Sequence, residues 1–315
     1  MNVAYSVQAP TSVVMVRPHA FRSNPDTLHD NVYQQRGAAG ADTHIAAAAY
    51  AEVSTMVERL RQVGVEVHLF EDLGTDTPDS VFPNNWFSTH PGGHVAIYPM
   101  AVPNRQKERR GDVIDLLKAR YRVQDVVDYS GLEQDRVYLE GTGAMVLDHI
   151  DHVAYVVRSN RADALALERF CTHFHFEPIV FDAADSAGNA VYHTNVLMCI
   201  ATEFAMVGFD MMTDPQRRAE VRTRLSDSGR SLVELSPTQI SEFAGNALEL
   251  QGQQGRVLAL SSRALRALTR DQIATIERSA SLLPLDVPTI ELAGGSVRCM
   301  LAGIHLKARP MVAQA

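Results

Sequence analysis

Cys299 is the residue in this sequence best suited to attack a carbon atom. It stands in Gly294-Gly295-Ser296-Val297-Arg298-Cys299-Met300-Leu301, beside a cation and just after a glycine pair. Thiolates form most readily next to positive charge, and glycines let backbone approach a ligand closely. A reactive thiol also needs an imidazole to carry its proton. His193, in Tyr192-His193-Thr194-Asn195, supplies one, which together meets the general requirement of a cysteine hydrolase. Glu140 lies between Leu139 and Gly141, ahead of the apolar run Ala144-Met145-Val146-Leu147. A carboxylate buried there must be paired, either in a salt bridge or as a clamp on a nitrogen-rich ligand. Asp79 follows Pro78 and can serve a turn, but its place at the head of Asp79-Ser80-Val81-Phe82 favours a ligand role. Cys171 and Cys199 read as small apolar filler.

These residues recur at a regular interval, so the elements that position them must repeat. Polar or small clusters leading into apolar runs centre on positions 84, 140, 194, 246 and 299, spaced 52 to 56 residues apart. A β-rich run follows each of the first four, at 94–98, 152–157, 203–209 and 256–260. Helical periodicity comes next, at 106–120, 162–174, 215–227 and 262–279, with apolar residues three and four apart, as in Leu265, Leu268, Ile273 and Ile276. Short strands such as 177–181 and 231–235 close the units. The first unit is split: a strand at 12–16, a long helix at 42–63 capped by Asp42, and a strand at 65–70, completed by the chain's last strand near Leu306. Five strand-strand-helix-strand units imply an α/β architecture in one domain spanning 1–315, with the polar clusters converging at one end of a common axis.

Composition narrows the function. The chain has 315 residues, 46% hydrophobic and 21% charged, with a formal net charge of -8. This describes an ordinary soluble protein and disfavours nucleic acid or anionic membrane as partners. The N-terminus lacks the basic and apolar stretches of a signal peptide, and three cysteines suit a reducing cytoplasm. Cys171-x-His173-x-His175 lacks a fourth metal ligand. Gly141-Thr142-Gly143 is too short for a dinucleotide fingerprint, so neither metal nor cofactor is expected. Arg105 to Arg110 reads as a solvated helix face.

The ordered set Asp79-x-Val81-Phe82, Leu139-Glu140-Gly141, Ser159-Asn160-Arg161, His193-x-Asn195, Gly245-Asn246 and Gly294-Gly295 with Arg298-Cys299 resembles the guanidino-group-modifying, or pentein, superfamily. That superfamily includes arginine deiminases, dimethylarginine dimethylaminohydrolases and amidinotransferases. The versions Phe82-Pro83-Asn84-Asn85-Trp86-Phe87 and His193-Thr194-Asn195 look most like bacterial arginine-deiminase-related citrulline-utilisation hydrolases. The resemblance implies a β/α propeller of five units around a pseudo-fivefold axis. It also implies Cys299 as nucleophile, His193 as general acid and base, and Glu140 and Asp79 as holders of the substrate's planar group. Arg161 would pair with an amino acid carboxylate, although Ala162 departs from the usual threonine, and Asn246 would join the pocket.

Other departures point to the substrate. Asn195 replaces an aspartate of arginine deiminases, and Asn84 and Asn85 stand where dimethylarginine hydrolases carry acids. Amides hydrogen bond without charge, so the three suit a neutral ureido group, and the expected reaction is citrulline to ornithine, carbon dioxide and ammonia. The alternatives are hydrolysis of arginine or methylarginine, amidino transfer, and, in a different class, non-catalytic binding. A small amino acid is the partner expected; a homodimer stays open.

Overall fold

The computed structural model describes residues 6–27, 31, 33, 34 and 42–310, apart from the side chains of residues 42 and 43. The expected Asp42 cap therefore lies outside the described residues. Fifteen strands are present among them: β1 (Ser12–Pro18), β2 (Glu66–Asp72), β3 (Phe87–His90), β4 (His94–Ile97), β5 (Asp125–Asp128), β6 (Met145–Asp148), β7 (Val153–Val157), β8 (Glu177–Phe181), β9 (Met198–Ile200), β10 (Phe204–Val207), β11 (Ser231–Glu234), β12 (Leu248–Gly252), β13 (Gly255–Ser261), β14 (Ser281–Leu285) and β15 (Ala302–Ile304). They form five separate three-stranded sheets.

Each sheet follows one rule. A short leading strand pairs antiparallel with the next strand, as β6 with β7 and β9 with β10. That strand then pairs in parallel with a third, as β7 with β8 and β10 with β11. A parallel pair needs a crossover, and helices supply it at Ala164–Phe174 and Pro215–Asp227. The first sheet differs only in chain order: β1 pairs in parallel with β2 across the helix Asp42–Gln62, and its antiparallel partner is β15. The observed strands coincide with the sequence reading to within a few residues.

The helix Ala164–Phe174 illustrates why these segments fold as they do. Asp163 caps it by accepting from Leu165 N at 2.8 Å. Ala166, Leu167, Phe170, Cys171 and Phe174 form its buried face, at three- and four-residue spacing. Two expected helices are instead broken. Residues 106–120 divide into Pro103–Gln106 and Gly111–Arg120, and 262–279 into Ser262–Ala267 and Arg270–Ile276, the second opened by a Thr269–Gln272 capping box.

Side chains join consecutive units ahead of or along the leading strands. Thr142 Oγ1 donates to Asn84 O, Thr194 Oγ1 to Ala144 O, and Asn246 Nδ2 to Asn195 O. Arg298 N donates to Asn246 Oδ1, and Thr89 Oγ1 to Gly303 O. Cys171 and Cys199 are core residues, and burial pushes both thiols up to about 12. Among the described residues, no helix is long and apolar enough to cross a membrane.

Near β3 the core also encloses an imidazole. His90 is 3% exposed and packs on Phe170, Phe174 and Phe176, with one ring nitrogen 2.7 Å from Ser88 Oγ and Nδ1 unpartnered. Burial, reinforced by His305, His94 and His173, holds His90 well below the ordinary imidazole value of 6.5. The unfolded chain binds the extra proton below that value, so this contribution to stability is complete above pH 6.5 and falls away below it. His90→Phe should therefore lose less stability than wild type between pH 7.5 and 5. The expected difference is about 2 kcal/mol, measured by denaturant unfolding at the two pH values. Equal losses would show that His90 is not held neutral.

Candidate active site

The polar clusters end in short turns rather than directly in strands. Asn84 and Asn85 lie on the turn Pro83–Asn85, Gly141 opens the turn Gly141–Ala144 after Glu140, and His193 precedes Thr194–Leu197. Cys299 lies on an equivalent turn, its N–H donating to Ser296 O at 3.0 Å, before β15 begins at Ala302. One turn of helix ahead of a strand projects side chains sideways from it, which lets separate units present groups to one place.

Cys299, His193, Asp79, Asn85, Arg105 and Arg161 line one small cavity, with Phe82 and Tyr192 among its walls. Asn195 Nδ2 and Asn246 Nδ2 donate to Cys299 Sγ at 3.2 and 3.3 Å. Glu140 lies behind the cavity with no exposure to solvent. Its Oε2 is 2.9 Å from His193 Nε2, and Arg161 Nη1 is 3.0 Å from both its oxygens. Ala101 N donates to Oε1 at 3.0 Å. Burial opposes this charge, but Arg161, His193 and Arg105 outweigh it and hold Glu140 well below the usual carboxylate range. Burial also pushes His193 below its ordinary value, assisted by Arg161 and Arg105 and opposed by Glu140. His193 is thus a neutral imidazole with its Nε2 turned to a carboxylate, ready to accept a proton.

Asp79 is held differently. Asn24 Nδ2 donates to its Oδ2 at 2.7 Å, Arg105 lies 3.9 Å away, and Oδ1 has no partner. Burial raises its carboxyl despite Arg105. Arg105 donates to both oxygens of Glu108, at 2.9 and 3.0 Å, and also approaches Glu140 at 3.7 Å. Burial disfavours its charge, but these carboxylates together hold the guanidinium charged.

Most of the residues singled out in the sequence do meet here. Asn84 does not: it is fully buried, its side-chain atoms have no hydrogen-bond partner, and it is absent from the cavity wall. The reading of Arg105–Arg110 as a solvated face is corrected, because the helix breaks at Lys107 and the turn Pro103–Gln106 directs Arg105 inward. Arg298 is not in the wall of this cavity; its side chain lines another one. Arg161, expected at a substrate carboxylate, is committed to Glu140 through Nη1. Asn24, Asn31 and Tyr192 were missed. Their sole signal was the presence of polar residues in an N-terminal stretch without repeat periodicity, and a tyrosine beside His193.

Two glycines make this packing feasible. A Cβ at Gly143 would lie 2.1 Å from Asn85 Nδ2 and 2.9 Å from His193 Nδ1. Gly294 has φ +79°, a left-handed conformation, and a Cβ there would lie 2.5 Å from the Asn31 side chain. The glycine pair ahead of Cys299 thus admits the Asn31 and Phe82 side chains, and Gly295 also lines the cavity. Gly143→Ala should displace Asn85 and His193 and lower kcat about 100-fold, with the far-UV spectrum unchanged. Steady-state kinetics check this, and an unaltered kcat would mean that neither side chain is held as described.

Comparison with known proteins bears on the fold and the family. The family model described as N,N dimethylarginine dimethylhydrolase, eukaryotic, matches residues 17–306. No curated protein matches the sequence. Among solved structures, the N-terminal domain of ArgZ, a cyanobacterial arginine dihydrolase of the ornithine-ammonia cycle, is similar as a substrate-bound cysteine-to-serine variant. It has 15% identity and a TM-score of 0.71, over 93% of this chain and 97% of that one. Unliganded AgrE is similar at 14% identity and TM-score 0.72, over 96% of this chain but 40% of AgrE. A dimethylarginine dimethylaminohydrolase carrying an S-methyl-L-thiocitrulline adduct is similar at 14% identity and TM-score 0.62, over 94% and 100%. At these identities the structural likeness is one of fold, while the family model spans nearly the whole chain. The chain belongs to the N,N dimethylarginine dimethylhydrolase family, within the pentein superfamily of guanidino-group-modifying enzymes, and is a hydrolase of carbon–nitrogen bonds other than peptide bonds.

Proposed function

We propose that the protein hydrolyses citrulline, or a closely related ureido amino acid, through a covalent adduct on Cys299. On this reading the five sheets are the blades of a propeller around a pseudo-fivefold axis, with the site at one end of that axis. The observation that carries the substrate choice is the set of neutral amides at the sulfur and the cavity wall: Asn195 and Asn246 donate to Cys299 Sγ, and Asn85 lines the cavity. Both guanidinium groups of the wall are already paired, Arg161 with Glu140 and Arg105 with Glu108. Amides hydrogen bond without charge, which suits a neutral ureido head group.

The chemistry follows from the groups present. No hydrogen bond joins His193 to Cys299 among the described contacts, so the substrate sits between them. His193 accepts the thiol proton, and Sγ bonds to the ureido carbon as the carbonyl π pair moves to oxygen. Asn195 and Asn246 orient the sulfur for this step. When the carbonyl reforms, the bond to the terminal nitrogen breaks and His193 returns its proton, releasing ammonia. His193 then deprotonates water, which attacks the same carbon, and the proton passes to Sγ as the S–C bond breaks. The carbamate that results loses carbon dioxide to leave ornithine. Asp79 Oδ1, a buried acceptor without a partner, is available to a ureido N–H.

That same oxygen favours a second reading, hydrolysis of a free or methylated guanidino group, which the family's description and the ArgZ likeness also support. Incubation of the purified protein with citrulline, arginine and dimethylarginine separates the two. Ornithine and ammonia should form from citrulline, and Cys299→Ser should lose at least 1000-fold in rate, on the order expected for a removed nucleophile. Citrulline accumulating from arginine or dimethylarginine, with no turnover of citrulline itself, would overturn the ureido assignment.

A further inference from the structure

The five segments that carry the site continue past it into a second cavity. Beyond Asn85 the chain reaches Phe87 and Thr89, beyond His193 it reaches Cys199, and beside Cys299 stands Arg298. All four line one small space together with Gln8, Thr142, His149 and His305. Nothing in the catalytic reading uses this space.

Its electrostatics are unbalanced. Arg298 Nη1 donates to Leu301 O at 3.2 Å, and no carboxylate among the described residues pairs with the guanidinium. Desolvation disfavours its charge, and no carboxylate among them offsets this. Other polar groups of the wall are already engaged within the protein. Gln8 bonds Leu147 O, Ile200 O and His149 N, and Thr89 bonds Gly303 O and His305 N. Thr142 bonds Asn84 O. The His149 ring stacks on His305 at 3.9 Å, and its Nδ1 is buried without a partner although the residue is only 8% exposed. Burial, aided by Arg298, holds His305 down at about 4, and burial likewise lowers His149, so both rings are uncharged near neutrality.

A guanidinium keeps its proton at any pH a folded protein experiences, and Arg298, half-buried and with no carboxylate beside it, presents that charge to a confined polar cavity where it attracts a counter-ion. We propose that this cavity binds a small monovalent inorganic anion, of the charge and size of chloride, as the counter-ion of Arg298. The site is separate from the reaction cavity and does not depend on which substrate is turned over.

Bromide serves as the probe. Thermal unfolding would be followed while sodium bromide replaces sodium gluconate at constant ionic strength. The wild-type Tm should rise saturably, on the order of 5 °C, and Arg298→Met should abolish the response. Crystals grown in bromide should show an anomalous peak in this cavity beside Arg298. A wild-type Tm indifferent to the exchange, a full response in Arg298→Met, or a cavity without the peak would each overturn the proposal. Should Arg298→Met fail to fold, the wild-type anomalous map alone decides.

Discussion

The structure turns on the burial of one negative charge. Glu140 has no exposure to solvent, so its carboxylate must be matched from within the protein. The partners come from separate stretches of chain: Ala101 after β4, Arg161 after β7, and His193 ahead of β9. Each can reach Glu140 only if its unit is in register, so satisfying the charge and assembling the units are the same event. Removing one partner of a buried pair typically costs about 3–5 kcal/mol, a large part of a domain's net stability. The interaction that sets the orientation and tautomer of His193 is therefore also one that holds the units together.

Around that centre, charge is managed by pairing and reactivity by amides. Arg105 lies among Glu108, Asp79 and Glu140, and the carboxylates together keep it charged despite its burial. The sulfur, by contrast, receives two neutral donors, Asn195 and Asn246. Amides direct hydrogen bonds without adding to a field already shaped by two guanidinium groups. This division separates the paired charges from the neutral donors that hold the sulfur.

Much of this was legible in the residues. The interval of 52 to 56 positions was visible because each unit must bury its own apolar strands, and the repeat located Cys299, His193 and Glu140 before any coordinates did. What periodicity could not show was direction. Asn84 and Asn85 are adjacent, yet one faces the cavity and the other the core, because they follow one another on a single helical turn. Arg105 looked solvated in a run of charged residues, and only the break in the helix turns it inward. Arg298 and Cys299 are neighbours in sequence, but line different cavities for the same reason. The N-terminal contributors, Asn24 and Asn31, belong to no repeat and left no periodic trace.

The pairing of β15 with β1 has a consequence for biosynthesis. On the ribosome β1 emerges early and waits with only β2 beside it, while four later sheets can complete themselves from local chain. The segment bearing Cys299 and then β15 emerge after the strands of the other four sheets, so a nascent chain holds its imidazole and carboxylate long before its thiol. A product truncated before this segment would keep most of its architecture and have no chemistry.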